Sequence, residues 1–106
     1  MKKLKLLGIK KGLFDIRIKK TVAIIYVENG RVVIESKLSS LLALRDRIQK
    51  IGDEDGFVLW HTREYGERPR KINDPDFLEA LASGDFLYRE FDGWSIGATR
   101  DQITEE

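Results

Sequence analysis

The run Val22-Ala23-Ile24-Ile25-Tyr26-Val27-Glu28-Asn29-Gly30-Arg31-Val32-Val33-Ile34-Glu35 decides the fold. Two apolar, β-branched segments flank Asn-Gly. That dipeptide suits a type I′ turn, whose two central residues both need positive φ. The stretch therefore reads as a β-hairpin. Residues 22–27 are apolar at every position. A strand covered on both faces has that pattern, so this one is expected at the centre of the sheet.

On the N-terminal side, Leu4 and Leu6 alternate with lysines, and Phe14, Ile16 and Ile18 alternate with Asp15, Arg17 and Lys19. Both segments read as strands with one wet face, joined near Lys10-Lys11-Gly12. On the C-terminal side, Ser39 or Ser40 can cap a helix running to about Ile51, with Leu38, Leu41, Leu44, Ile48 and Ile51 at helical spacing. Gly52 stands where a C′ glycine belongs. A buried strand is expected over 57–62, and an exposed loop over 63–71. Asp74-Pro75 then opens a short helix that turns Phe77, Leu78 and Leu81 inward and stops at Gly84. A second hairpin, 86–91 and 94–98, turns at Asp92-Gly93. Residues 101–106 are expected to fray.

These elements predict one α+β domain over residues 1–100. Its mostly antiparallel sheet would hold about six to seven strands built from hairpins, with two helices packed on it. At 106 residues such a domain can bury a core without covalent staples. The absence of cysteine excludes disulfides, thiol nucleophiles and cysteine-based metal sites, and a single histidine leaves little for zinc. No metal or other cofactor is expected. Apolar runs of about six residues are far short of a roughly 20-residue membrane span, and the lysine-interrupted N-terminus does not form a signal peptide. A cytoplasmic location without membrane contact is the expectation. The 35% of charged residues, with four Asn plus Gln, matches the composition of proteins from hot environments.

The net charge of +1 conceals a gradient. Residues 1–20 carry net +7, residues 21–71 net +1, and residues 72–106 net −7. Such asymmetry can mark a surface for an acidic partner, or it can pair with itself. The candidate nucleic-acid contacts are Lys10, Lys11, Arg17, Lys19 and Lys20 on the first strands, with Arg63, Tyr65, Arg68, Arg70 and Lys71 in the 63–71 loop. Arginine offers forked donors for phosphate, and an aromatic ring offers a face for an unstacked base.

Catalysis has fewer candidates. His61 is the one side chain that titrates near neutrality without help, and Glu64 and Arg63 stand close in sequence. A His-Glu-Arg set could cleave RNA by in-line attack of the 2′-hydroxyl. Glu35-Ser36-Lys37, at the end of the Asn29-Gly30 hairpin and just before a helix and a strand, resembles the D…ExK element of the PD-(D/E)xK nucleases. That resemblance, over residues 22–62, implies strand acids holding magnesium and a lysine supporting the attacking water. The preceding strand lacks the expected acid, Asp15 lies one strand further away, and the family's N-terminal helix is missing. Glu35 and Asp15 are thus the metal candidates of that reading.

Three expectations follow. The first is a small nucleic-acid-binding accessory domain for RNA or DNA. The second is a protein-interaction or assembly module, a homo-oligomer or an adaptor, joined by charge complementarity. The third is a nuclease, either a ribonuclease on His61 or a degenerate PD-(D/E)xK-like enzyme. A non-enzymatic role leads.

Overall fold

The computed structural model describes residues 1–55, 57–59, 70–72, 74–83 and 89–105. Its frame is the expected hairpin. Asn29 and Gly30 take φ of 51° and 72°, joining β2 (Arg17–Glu28) to β3 (Arg31–Ser36). Asp92 and Gly93, at 50° and 85°, join β6 (Arg89–Phe91) to β7 (Trp94–Gly97) in the same way. Asn and Asp tolerate positive φ better than other residues bearing a Cβ, which is why both turns close in two residues.

β1 (Lys2–Lys11) is the strand that joins the two hairpins. The main sheet runs β3-β2-β1-β7-β6, and β8 (Ile103–Glu105) pairs with the start of β1 on the edge that β7 occupies further along. Every described pairing is antiparallel. β4 (Phe57–Leu59) and β5 (Arg70–Ile72) form a separate two-stranded sheet packed against α1 (Ser39–Asp55) and α2 (Asp74–Ser83). The architecture is α+β, as the hairpin pattern implies.

One face of the sheet carries the core. Leu4 lies opposite Ile25 and Leu6 opposite Ala23, and these four pack in one cluster with Val32, Ile34 and Ile96. Leu41, Leu44 and Ile48 from α1 and Phe77, Leu78 and Leu81 from α2 complete it. These are the helix residues that apolar spacing turns inward. Between Leu6 and Leu7 the partner jumps from Ala23 to Thr21, leaving Val22 as a bulge. Gly8 follows directly. A Cβ there would sit 2.7 Å from Val22 Cγ1 and 3.0 Å from Trp94 Cε3, so the bulge and the indole together require glycine.

Five expectations change, the first being that Arg70 and Lys71, read as the end of an exposed loop over 63–71, lie in strand β5 paired with β4. The two segments read as separate strands, 14–18 and 22–27, are one strand, β2, which starts at Arg17 after a 3-10 turn at Leu13–Asp15. Among the described residues, β2 is interior but covered on one face only: Ala23 and Ile25 are buried, while Ile24 and Tyr26 are half-exposed. Cross-strand side chains rather than a second layer shield that outer face, with Lys3 Nζ 4.8 Å above the Tyr26 ring. α1 runs past Gly52 to Asp55, and residues 103–105 are not a frayed end but strand β8.

The overrun of α1 has a physical cause in Gln49. Its buried Oε1 accepts from the backbone N–H of Val32, on edge strand β3, while Nε2 donates to Asp53 Oδ1 at 3.0 Å. Asp53 in turn holds Arg31 at 3.0 Å. The helix end is thereby tied to the Asn29-Gly30 hairpin, outweighing a mid-helix glycine that costs about 1 kcal/mol. Gln49→Leu keeps the volume but strands the Val32 donor, which should cost about 1–3 kcal/mol. Urea denaturation checks this. A loss below about 0.5 kcal/mol would show that water replaces the amide.

Candidate nucleic-acid interface

β1 and β2 outrun their neighbours. Pairing with β7 ends at Ile9 opposite Ser95, and pairing with β3 ends at Ala23 opposite Ser36. The two strands continue together through Lys10 opposite Ile18 and Lys11 opposite Arg17. Residues 10–18 therefore form a two-stranded ribbon that projects beyond the rest of the sheet.

Residues directly opposite on antiparallel strands share a face, and the face alternates along each strand. Gly8 stands opposite both Lys20 and buried Ile96, so Lys20, Lys10 and Ile18 lie on the core-side face. Lys11, Arg17, Ile9 and Lys19 lie on the open face, as does Lys5. Five of the sequence-predicted contacts are thus gathered on one exposed stretch, Lys10, Lys11 and Arg17 on the ribbon and Lys19 and Lys20 at its base, with cations on both sides.

Trp94 anchors the ribbon's base. Two residues from Ile96, its half-buried ring packs beside Gly8, and Lys20 Nζ and Lys10 Nζ lie 5.0 and 5.6 Å from its centroid. Both distances are within cation–π range. Beside it, where β3 ends and β2 runs on, opens a cleft of about 490 Å³ bordered by Lys20, Glu35, Ser36, Lys37 and Trp94.

The turn of the ribbon is built by two backbone hydrogen bonds. The N–H of Gly12 donates to Ile16 O at 2.7 Å, and that of Ile16 to Leu13 O at 3.2 Å. Within this closure Phe14 and Asp15 take φ of 57° and 60°. Asp15 pairs with Lys11 at 2.9 Å. Leu13 is 82% exposed and Phe14 94%, with Ile16 also exposed. The alternation in the sequence predicts an inward strand face for Phe14 and Ile16, and the structure exposes both. An alternating pattern cannot say that no chain lies opposite.

The acidic C-terminal third neutralises the other end of β1. Lys2 pairs with Glu79 at 3.7 Å, the Met1 amino group with Glu105 at 3.4 Å, and Arg100 also meets Glu79 at 3.2 Å. Among the described residues, no carboxylate forms an ion pair with Lys5, Lys10, Arg17, Lys19 or Lys20. The charge gradient is therefore cancelled within the chain near residues 1–2 and, apart from the Lys11–Asp15 pair, left open along the ribbon.

The remaining candidates divide into residues outside the description and residues placed elsewhere in the fold. His61, Arg63, Glu64, Tyr65 and Arg68 lie outside the described residues, while Arg70 and Lys71 belong to β5, on the helical side. Glu35 accepts the Tyr26 hydroxyl at 3.0 Å, and this bond holds the Tyr26 phenol protonated above its ordinary pKa of 10.0. Ser36 Oγ donates to Val22 O at 2.8 Å and accepts from Leu38 N–H at 3.0 Å, so the centre of the Glu-Ser-Lys triplet staples α1's start to the bulge. Asp15 sits at the ribbon's apex, seven residues of β2 (roughly 23 Å) beyond the level of Glu35. That separation cannot bridge one metal ion. Among the described residues no three acidic or imidazole groups gather as a metal site, and no helix is long and apolar enough to cross a membrane. Comparison with known proteins finds no family, no curated protein and no solved structure that matches this chain.

Proposed function

We propose that this domain binds nucleic acid through the β1–β2 ribbon, as a binding module rather than an enzyme. The observation that carries the reading is the contrast along one strand. The start of β1 is neutralised by Glu79 and Glu105, whereas Lys10, Arg17, Lys19 and Lys20 have no carboxylate partner among the described residues. Exposed cations on a projecting ribbon can reach phosphates on two sides without displacing any part of the fold. Lys37, at the cleft beside Trp94, extends the basic surface toward α1.

Binding of this kind is driven by counterion release, so its affinity falls linearly with salt on logarithmic axes. Five phosphate contacts on duplex DNA give a slope of about −4.5, and four-fold more salt should weaken binding roughly 500-fold. Fluorescence polarisation of labelled oligonucleotides between 50 and 200 mM salt measures this. Absence of binding to duplex and single strand alike at the lower salt removes the proposal.

A further inference from the structure

We infer that Leu13 and Phe14, at the apex of the ribbon, form an apolar wedge that enters the minor groove of duplex DNA and opens a base-pair step. The inference rests on the nucleic-acid reading and adds what the apex does once the ribbon is bound.

Single exposed apolar side chains are ordinary on protein surfaces. Here three of them, Leu13, Phe14 and Ile16, crowd one five-residue turn and none belongs to the core. The turn also places a bulky aromatic residue at φ 57°, a conformation that suits glycine or asparagine. The Gly12–Ile16 and Leu13–Ile16 hydrogen bonds hold that conformation in place and keep Phe14 pointed away from the fold. An unfavourable backbone state maintained around an outward-facing ring is a pattern associated with function.

The charges behind the apex select the occupant. Lys10, Lys11 and Arg17 stand just behind the turn, and Lys19 and Lys20 about 7–10 Å further back, on both faces of the ribbon. A groove presents phosphates on two walls and along its length, which matches cations at two depths on two faces. A lipid surface presents its anions in one layer, and its attraction fades within a Debye length of about 8–10 Å. Backbones in a ribbon lie about 4.8 Å apart before side chains are added, so the ribbon is wider than a minor groove of about 6 Å. Only the apex can enter, while the lysines ride on the phosphate rims. Phe and Leu are among the residues that wedge between base steps from that groove and kink the duplex.

The test uses a 20-base-pair duplex carrying 2-aminopurine at its centre and a donor–acceptor pair at its ends. Phe14→Asn is the informative variant, because asparagine accepts the φ of this position and the side chain it replaces makes no core contact. Wild type should raise 2-aminopurine emission and shorten the end-to-end distance. Phe14→Asn should bind about ten-fold more weakly with an unchanged salt slope and leave the duplex stacked and straight, with circular dichroism as the control for folding. Binding by wild type without either signal, or the same signals from Phe14→Asn, overturns the wedge and leaves the nucleic-acid reading standing. No binding at 50 mM salt removes both. Phe14-dependent association with vesicles containing phosphatidylserine, or Phe14-dependent dimers in sedimentation, without duplex distortion, overturns the wedge in favour of lipid or a second copy.

Discussion

Phe77→Ala is expected to destabilise the domain by about 3–5 kcal/mol, the range for truncating a fully buried aromatic side chain. Phe77 is the largest fully buried side chain among the described residues, and α2, which carries it, packs against both β1 and β2. Removing the ring leaves a cavity at the junction of helix and sheet, and neighbours such as Leu4, Leu6 and Ile25 already sit in tight registers that resist collapse. A domain of this size has a total stability of about 5–15 kcal/mol, so the variant loses roughly a fifth or more of it. Urea denaturation followed by circular dichroism should show the midpoint falling by about 2 M. A loss under about 1 kcal/mol would mean that α2 is not docked on the sheet as described.

The second large effect concerns binding. Reversing Lys10, Lys11, Arg17, Lys19 and Lys20 to glutamate should lower affinity for a DNA duplex at 50 mM salt more than 100-fold and flatten the salt slope toward zero. All five side chains are exposed, so the fold should survive, with each change within about 0.5 kcal/mol. The control lies on the same strand. Lys2→Glu removes a cation already held by Glu79, at the end of β1 remote from the ribbon, and should leave affinity within about two-fold. Equal losses from the ribbon variant and from Lys2→Glu would mean that net charge alone drives binding, and the assignment to the ribbon would fall.

What could be read from the chain was local. Asn29-Gly30 and Asp92-Gly93 announced their turns because positive φ is a property of the residues themselves, and Asp74-Pro75 announced α2 for the same reason. What could not be read was who stands beside whom. Nothing in Ile103-Thr104-Glu105 tells that it pairs with Lys2–Leu4, about a hundred residues away. The extension of α1 past Gly52 depends on Gln49, Asp53 and Arg31 meeting across two elements. The same limit governed the site. The lysines were countable, but which were neutralised depended on topology: Lys2 found Glu79, while Lys19 found no acid among the described residues. Phe14 showed the amphipathic alternation of a core residue, and only the end of pairing on both flanks of the ribbon reveals that nothing covers it.

β1 precedes every strand it pairs with and is completed last. Its β2 edge closes against residues only a few positions away, but its other edge waits for residues 95–97 and 103–105. At 5–20 residues per second, that edge of a nascent chain stays bare for roughly 5–20 s, with the apolar Leu4, Leu6 and Ile25 lacking α2 as cover. A bare, flat strand is a template for pairing with another nascent chain. Lys2, Lys3 and Lys5 punctuate the leucines of that strand, and charge so placed is what keeps unpaired edges from meeting. Charge at the start of β1 therefore opposes such pairing at the stage when Glu79 and Glu105, which pair with Lys2 and the Met1 amino group in the fold, have not yet been made.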